Sequence, residues 1–197
     1  LCMVKKEQMR MDTSLLLINA LLYFFLPLWG IAGFVDWCCH RATKIEHTTG
    51  IKETLMHSVM GIQMGLPIVL CLIFDVNALI LLICIITWVL HELVAHMDVA
   101  YASPIREISI WEMHAHTYLG SLPLYMLTSI IVINWDHFLK LITLDLNGEM
   151  TFTLLENPYG TSSYLPAYLT FMAIVCVFPY MEENLRCIYA YFKGRKA

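Results

Sequence analysis

The chain has 197 residues, of which 59% are hydrophobic and only 14% are charged, and its formal net charge is −4. Soluble globular proteins carry roughly 45–50% apolar and about 25% charged residues, so this balance excludes an ordinary soluble domain. The small net charge, without a long basic run, argues against nucleic acid as a partner. The composition therefore predicts a polytopic membrane protein of one domain.

Five apolar segments are each long enough to cross a bilayer as a helix, which takes about 20 residues. Pro104 and the Asn157-Pro158 pair mark breaks between them, and Pro179 predicts a kink inside the last one. Residues 135–163 mix charges with turn residues and are expected to form a surface connection with room for a short hairpin. We predict an all-α fold, a polytopic transmembrane helical bundle of about five spans in a single domain, 1–197. The predicted spans are 14–35, 51–74, 78–100, 105–134 and 165–192.

Acidic residues accompany histidines at four places where a predicted span begins or ends. Residues four or seven apart share a face of an α-helix, so each such pair can present a carboxylate and an imidazole to one point. Because neighbouring spans are expected to be antiparallel, all four places lie on one side of the membrane. Ionisable groups in membrane segments are costly unless paired, hydrated or metal-bound, so they indicate a functional site. The candidate metal ligands are Asp36, His40, Glu53, His57, His91, Asp98, Glu112, His114 and His116.

Three other histidines are not assigned to this site. A single histidine at a span end is more often an interfacial residue than a ligand, and His47 is interpreted in that way. His96 is five residues from His91 and so points off its face. His137 falls on the opposite side of the membrane from the clusters.

Charged neighbours of the clusters fall into two groups. The first can hold ligands or can act as topology signals, and its members are Arg41, Arg106 and Glu107. The second is expected to be solvated helix-end charge, with further oxygen ligation as the alternative, and its members are Glu46, Glu182 and Glu183. The seven cysteines include no CxxC pair and are interpreted as small hydrophobic residues.

Basic residues near the span ends predict the orientation. Eight lie on the side of the clusters and four on the other side, so the positive-inside rule places the clusters in the cytoplasm. The eight are Arg41, Lys44, Lys52, Arg106, Arg186, Lys193, Arg195 and Lys196, and the four are Lys5, Lys6, Arg10 and Lys140.

The motifs between Asp36 and Pro123 read DWxxHR, IExTxG, KExLxH, HE-x5-D-x2-YA, RE-x4-E-x-HxH and YLxxLP. Together they resemble a family of short bacterial integral-membrane proteins that are often labelled diguanylate cyclases, although this sequence contains no GGDEF-type motif. The resemblance covers the middle two-fifths of the chain. It implies that the nine candidate ligands belong to a family pattern and that the protein lies in the bacterial inner membrane. Relatives tend to have an acid where this chain has Gly120, so a ligand expected there is missing.

A looser likeness is to membrane fatty-acid hydroxylases and desaturases, which gather histidines around two irons on the cytoplasmic face of a helical bundle. Their HxxxH and HxxHH boxes are absent here, so the likeness concerns only the plan of the site. A physical precedent is the di-iron carboxylate bundle, in which facing helices project glutamates and histidines inward. We therefore expect two divalent metal ions, with iron as the first candidate and zinc or manganese as alternatives.

The leading hypothesis is a non-haem di-iron oxidoreductase that acts on a lipid or another apolar substrate. The sequence contains neither a GxGxxG motif nor a P-loop, so a redox partner protein would supply the electrons. One alternative is a zinc-dependent membrane lipid hydrolase, in which metal-bound water attacks and a glutamate is the base. Another is a non-catalytic accessory subunit of a membrane complex, or a carrier of metal or haem. The expected surroundings are membrane lipids.

Overall fold

The computed structural model describes residues 2–194, with side chains described for residue 9 and for residues 11–194. This part of the chain is mostly helical, and its one β-type contact is a single bridge between Phe74 and Leu154. The predicted all-α fold is confirmed. In chain order the helices are α1 (Cys2–Ala20), α2 (Leu26–Thr43), α3 (Ile51–Ile73), α4 (Ala78–Ala102), α5 (Ile110–Ile133), α6 (Trp135–Thr143), α7 (Tyr164–Met172) and α8 (Phe178–Gly194).

Five helical stretches are long and apolar enough to cross a membrane, as the sequence predicted. The first runs to Thr43 instead of ending near Val35, so Asp36 and His40 lie on the helix and not beyond its end. The polar ends of these stretches converge at one end of the bundle, where they build the site described below. The five stretches are Met11–Thr43, Ile51–Ile73, Ala78–Ala102, Ile110–Ile133 and Tyr164–Gly194.

The first and last membrane helices each contain a π-helical turn that ends two residues before a proline. Leu21–Phe25 precedes Pro27, and Ala173–Val177 precedes Pro179. Proline has no N–H to donate and its ring clashes with the carbonyl four residues earlier, so the preceding turn widens. The disruption predicted at Pro179 takes this form. The wider turn changes the rotational phase of α8 and so decides which of its side chains face the interior.

The apolar half of the bundle packs around Trp29 of α2, which lies among the buried side chains of Met64 and Leu122. Helices α2 and α7 approach each other closely at Gly30, where an added Cβ would lie 2.9 Å from Cε1 of Phe171. Small residues allow such close helix packing in membranes. Gly30 therefore holds the first and last membrane helices together just before the polar end of the bundle.

Helix α5 begins at Ile110, whereas the sequence predicted a start near Ile105. Ser109 caps the helix, because its Oγ accepts the backbone N–H of Glu112 at 3.2 Å. Residues 103–109 form an irregular connection as a result. Arg106 lies in that connection instead of on a helix, and its side chain turns into the bundle, where the residue is only 8% exposed.

The connection 135–163 contains helix α6, and its described residues form no hairpin. Glu149 ties this connection to the first turn of α4, because its carboxylate accepts hydrogen bonds from Lys140 Nζ at 2.6 Å, His137 Nδ1 at 2.6 Å and the Ala78 N–H at 3.3 Å. The Lys140 ammonium, aided by His137 and the Ala78 amide, lowers the pKa of Glu149 to about 2 despite the burial of the carboxylate. This contact fixes the end of the bundle opposite the candidate metal ligands.

The depressed pKa of Glu149 predicts a pH dependence of stability. A carboxyl whose pKa is lower in the folded state stabilises the fold at pH values above its ordinary pKa of 4.5. This contribution is lost as the pH falls towards the folded-state pKa of about 2. Wild-type protein should therefore melt at a higher temperature than Glu149→Gln at pH 7, and the difference should shrink between pH 5 and pH 3. Glu156→Gln, an exposed position in the same connection, is the control. A difference that stays constant with pH would contradict the assignment.

Candidate metal centre

Seven of the nine candidate ligands gather at the polar end of the bundle, together with Glu183 of α8. Their ligand atoms form three overlapping groups, and within each group the atoms lie within 4.8 Å of one another. All members are buried except His116, which is half-buried. The groups are Asp36, His40, Glu112 and His116 (the first group), Glu53, His57 and Asp98 (the second group), and His40, His57 and Glu183 (the bridging group).

Helices α2 and α5 build the first group. Each contributes an acid and a histidine four residues apart, which places the two side chains on one helix face. His116 Nε2 lies 3.0 Å from an Asp36 carboxylate oxygen. His40 Nε2 lies 3.6 Å from the other Asp36 oxygen and 3.4 Å from Glu112. Two carboxylates and two imidazoles therefore surround one point between the two helices.

Helices α3 and α4 build the second group. Glu53 and His57 lie one turn apart on α3, and Asp98 faces them from the last turns of α4. His57 Nε2 lies 3.4 Å from an Asp98 oxygen. This group offers two carboxylates and one imidazole.

Glu183 joins the two groups. One of its oxygens is 3.0 Å from His40 Nδ1 and the other is 2.9 Å from His57 Nδ1. The two imidazole rings are stacked, with centroids 4.5 Å apart and planes at 7°. An ionised carboxylate only accepts hydrogen bonds, so both Nδ1 atoms donate, and in the neutral imidazoles both Nε2 atoms then keep a free lone pair. This is how metal-binding histidines are held in many sites, with a carboxylate behind the ring.

The interpretation of Glu183 as a solvated charge is wrong, since the residue is fully buried. Its neighbour Glu182 does lie at the surface, where it accepts hydrogen bonds from Trp37, Arg41 and Arg186. The sequence carried no clear signal for the difference. Arg186 follows Glu182 by four residues and Glu183 by three, and both spacings allow a pair on a helix surface. In the structure Arg186 pairs with Glu182.

Several buried polar atoms in these groups lack a hydrogen-bond partner among the described residues. They include His40 Nε2, His57 Nε2 and one oxygen of Asp98. The carboxylate oxygens that face the two Nε2 atoms, at 3.4–3.6 Å, are too far away for good hydrogen bonds. Unpaired buried polar groups are few in native proteins, and binding of an ion at such groups is one established reason for them. The donor set therefore fits metal ions.

Arg106 holds one carboxylate of each group. Its Nη2 donates to Glu53 at 2.5 Å and its Nη1 donates to Glu112 at 3.0 Å, while the Thr49 hydroxyl also donates to Glu53. Burial alone would lower the pKa of the guanidinium, but the hydrogen bonds to Glu112 and Glu53 outweigh burial and raise this pKa above its usual range. Arg106 thus stays charged and fixes the two carboxylates. Of the two interpretations left open for it, the structure supports the one in which it holds ligands.

Of the other charged neighbours of the clusters, Arg41 and Glu107 lie at the surface, whereas the side chain of Glu46 is only 12% exposed and is not the solvated charge that the sequence predicted. Arg41 pairs with Glu182 and has a side chain that is 58% exposed. Glu107 is exposed, and Glu46 accepts a hydrogen bond from Arg186 at the edge of the cluster. None of the three belongs to a group of candidate ligands.

Two of the nine candidate ligands lie outside the three groups. His114 is exposed, because residues two apart on a helix point to nearly opposite sides and His116 faces inward. His91 is buried, but it lies two helical turns from Asp98, about 10 Å along the axis of α4. His91 and Asp98 therefore do share a face of α4, but they lie at different depths in the bundle. His47 and His96 are exposed, and His137 contacts Glu149 at the other end.

A cavity of about 250 Å³ borders both groups, and we call it the polar chamber because titratable side chains form part of its otherwise apolar wall. Asp36 and His116 of the first group line it, together with His57 and Asp98 of the second. His91 and Glu92 of α4 also line it, and His91 Nδ1 and one oxygen of Glu92 are buried without a hydrogen-bond partner. A small molecule in the chamber would touch ligands of both groups at once.

Comparison of the chain with models of known protein families, with curated proteins and with solved structures gives no match. The function must therefore be inferred from the residues themselves. The resemblance of the motifs to a bacterial membrane-protein family stays a prediction.

Replacing Glu183 by glutamine tests whether this residue orients the two histidines. The amide has one oxygen acceptor and an NH2 group, so it can accept from only one Nδ1 and must turn the other histidine to its opposite tautomer. Loss of such a supporting hydrogen bond typically weakens metal binding by about 10–100-fold. We expect a decrease of that size in a chelator-competition titration of purified Glu183→Gln. Glu182→Gln is the matched control, and an equal change in both variants would contradict the orienting role.

Proposed function

We propose that this protein is a membrane-embedded dinuclear metalloprotein whose two divalent ions are bound by the first and second groups. Charge balance is the observation that carries this proposal. Five carboxylates, those of Asp36, Glu53, Asp98, Glu112 and Glu183, are buried around a single buried guanidinium, that of Arg106. Four negative charges remain, which either protonated imidazoles of His40, His57 and His116 or bound cations must balance, because buried charges are costly unless they are paired. Two divalent ions would neutralise them.

Iron is the metal that this donor set favours first. Carboxylate and imidazole ligands from several helices are the ligands of the di-iron carboxylate bundles, and neither of the two groups contains a thiolate. Manganese and zinc accept the same donors. When bound, two irons supply O2-dependent oxidation chemistry, and we propose that the protein is a non-haem di-iron oxidoreductase that acts on a lipid or another apolar molecule. Electrons would come from a redox partner protein.

The protein's own residues would prepare this chemistry in three ways. Glu183 holds His40 and His57 with their Nε2 atoms free, and Arg106 keeps two ligand carboxylates in place. The polar chamber lies within the helical bundle, so its walls limit contact with bulk water. Its position near the polar ends of the membrane helices lets an apolar substrate reach it from the bilayer.

The orientation is part of the proposal. Among basic residues whose side chains the structure describes, six lie on the side of the site and only Lys140 lies on the other. Arg195 and Lys196 lie outside the described residues, as do the side chains of Lys5, Lys6 and Arg10. The positive-inside rule then favours a site at the cytoplasmic face. The resemblance of the motifs supports the bacterial inner membrane as its location.

A zinc-dependent lipid hydrolase is the second candidate, and Glu92 favours it. One carboxylate oxygen of Glu92 is buried without a partner, and the residue lines the chamber that the ligands of both groups also line. A glutamate in such a place can act as the general base for a metal-activated water. Purified protein that contains zinc and no iron would favour this function.

Elemental analysis of purified variants tests the dinuclear proposal. We expect about two irons per chain in the wild-type protein, as in other di-iron bundles. His57→Ala and His116→Ala should each lose metal, because each removes an imidazole from one group. His114→Ala is the matched control, since this exposed histidine lies on the same helix as His116 and outside the site. Helical circular dichroism and a monodisperse elution profile would establish that each variant is folded.

Two results would overturn the proposal. One is a wild-type protein that is folded but contains no stoichiometric metal after growth with iron, manganese and zinc. The other is metal content in His57→Ala and His116→Ala equal to that in His114→Ala.

A further inference from the structure

A second cavity, the apolar groove, lies along the membrane-spanning part of the bundle. It has a volume of about 450 Å³ and lies between α3 and the last membrane stretch, with Ile62, Gly65 and Val69 on one wall and Leu169 and Val177 on the other. Sites for small molecules in proteins commonly measure about 300–1,000 Å³. The walls are apolar over most of their length, so the groove suits a hydrocarbon.

The groove and the polar chamber share part of their walls. Trp29, His57, Gly61, Cys176 and Tyr180 line both. The groove therefore borders the chamber at the turn of α3 that carries the metal-ligand candidate His57. A molecule lying in the groove has one end beside this residue.

The two ends of the groove differ in polarity. At the end near the site, Asn184 Nδ2 donates to Ser58 Oγ at 2.8 Å, and His57 and Tyr180 lie beside this pair. Towards Val69 the lining is apolar. From His57 to Val69 the axis of α3 advances about 18 Å, at about 1.5 Å per residue. A ligand that matches both features has one polar end and one long hydrocarbon chain.

We propose that the groove binds a single-chain lipid of the fatty acid or fatty alcohol class. Its hydrocarbon chain lies along α3 past Gly65 and Gly61, and its polar end enters the chamber at His57 and Tyr180. This inference rests on the proposed function, since it names the substrate class of the same site. The groove runs along α3 as one cavity, which matches one hydrocarbon chain, and a carboxyl or hydroxyl end of that chain would lie in the chamber. A single-chain lipid therefore fits better than a bilayer phospholipid.

Gly65 offers a test that leaves the metal site intact. It lines the groove but not the chamber, and a Cβ added there meets nothing within 4 Å, so the helix packing tolerates a side chain. Gly65→Leu should fill the groove. Ala100→Leu is the matched control, because Ala100 is exposed on α4 and lines neither cavity.

The probes are palmitic acid and hexadecanol with a photoactivatable diazirine in the chain, and a phosphatidylcholine that carries the same labelled chain. After illumination, peptide mass spectrometry locates the labelled residues. We expect saturable labelling of groove residues by a single-chain probe in wild type and in Ala100→Leu. Binding to Gly65→Leu should be weaker by about tenfold or more, a difference of about 1.4 kcal/mol. The metal content of Gly65→Leu should equal that of wild type.

Labelling that is equal in Gly65→Leu and wild type would overturn the groove assignment, and so would labelling of the groove by the phosphatidylcholine probe alone. Uniform, non-saturable labelling of all lipid-facing helices would do the same. The metal measurement keeps the two proposals apart. Wild-type protein that contains no metal but whose labelling depends on Gly65 would contradict the dinuclear function and support the lipid groove. Protein that contains metal but shows no labelling in the groove would support the dinuclear function and contradict the lipid groove.

Discussion

The bridge from Glu183 to His40 and His57 is the interaction on which the rest of the structure depends. It connects α8 with α2 and α3 inside the bundle, at a depth where an unpaired charge would be costly. It also orients both imidazole rings, so that their Nε2 atoms face two different sets of carboxylates. The division of the site into two groups follows from this single contact.

The packing of the apolar parts of the bundle holds the helices in the positions that this contact requires. The close approach at Gly30 brings α2 against the last membrane stretch shortly before the polar end, and the π-helical turn at Ala173–Val177 sets the phase with which α8 continues. At the opposite end, Glu149 anchors the long connection to the start of α4. The helices are thus held at both ends and packed between them, which leaves the polar chamber and the apolar groove on either side of His57 and Tyr180.

Local periodicity explains how much the sequence could predict. Hydropathy gave the five membrane-length helices, and spacings of four residues placed pairs such as Glu53 and His57 on one face, because both properties are local to a helix. Glu183 was misjudged because its direction depends on a π-helical turn, which an α-helical projection does not contain. Arg106 was predicted on a helix, but its side chain points into the bundle because the cap at Ser109 delays the start of α5 and leaves Arg106 in an irregular connection. His91 shares a face of α4 with Asp98. The spacing along one helix does not show how deep each residue lies relative to the helices that face α4.

Two metal ions bound at these groups would be located directly by diffraction from crystals of the intact chain. Data collected on both sides of the absorption edge of iron, or of the metal that elemental analysis detects, would give their positions. We predict two anomalous peaks, one among Asp36, His40, Glu112 and His116 and one beside Glu53, His57 and Asp98. A well-phased map with no peak at either place, or with metal bound only at cysteine sulfurs, would contradict the dinuclear site.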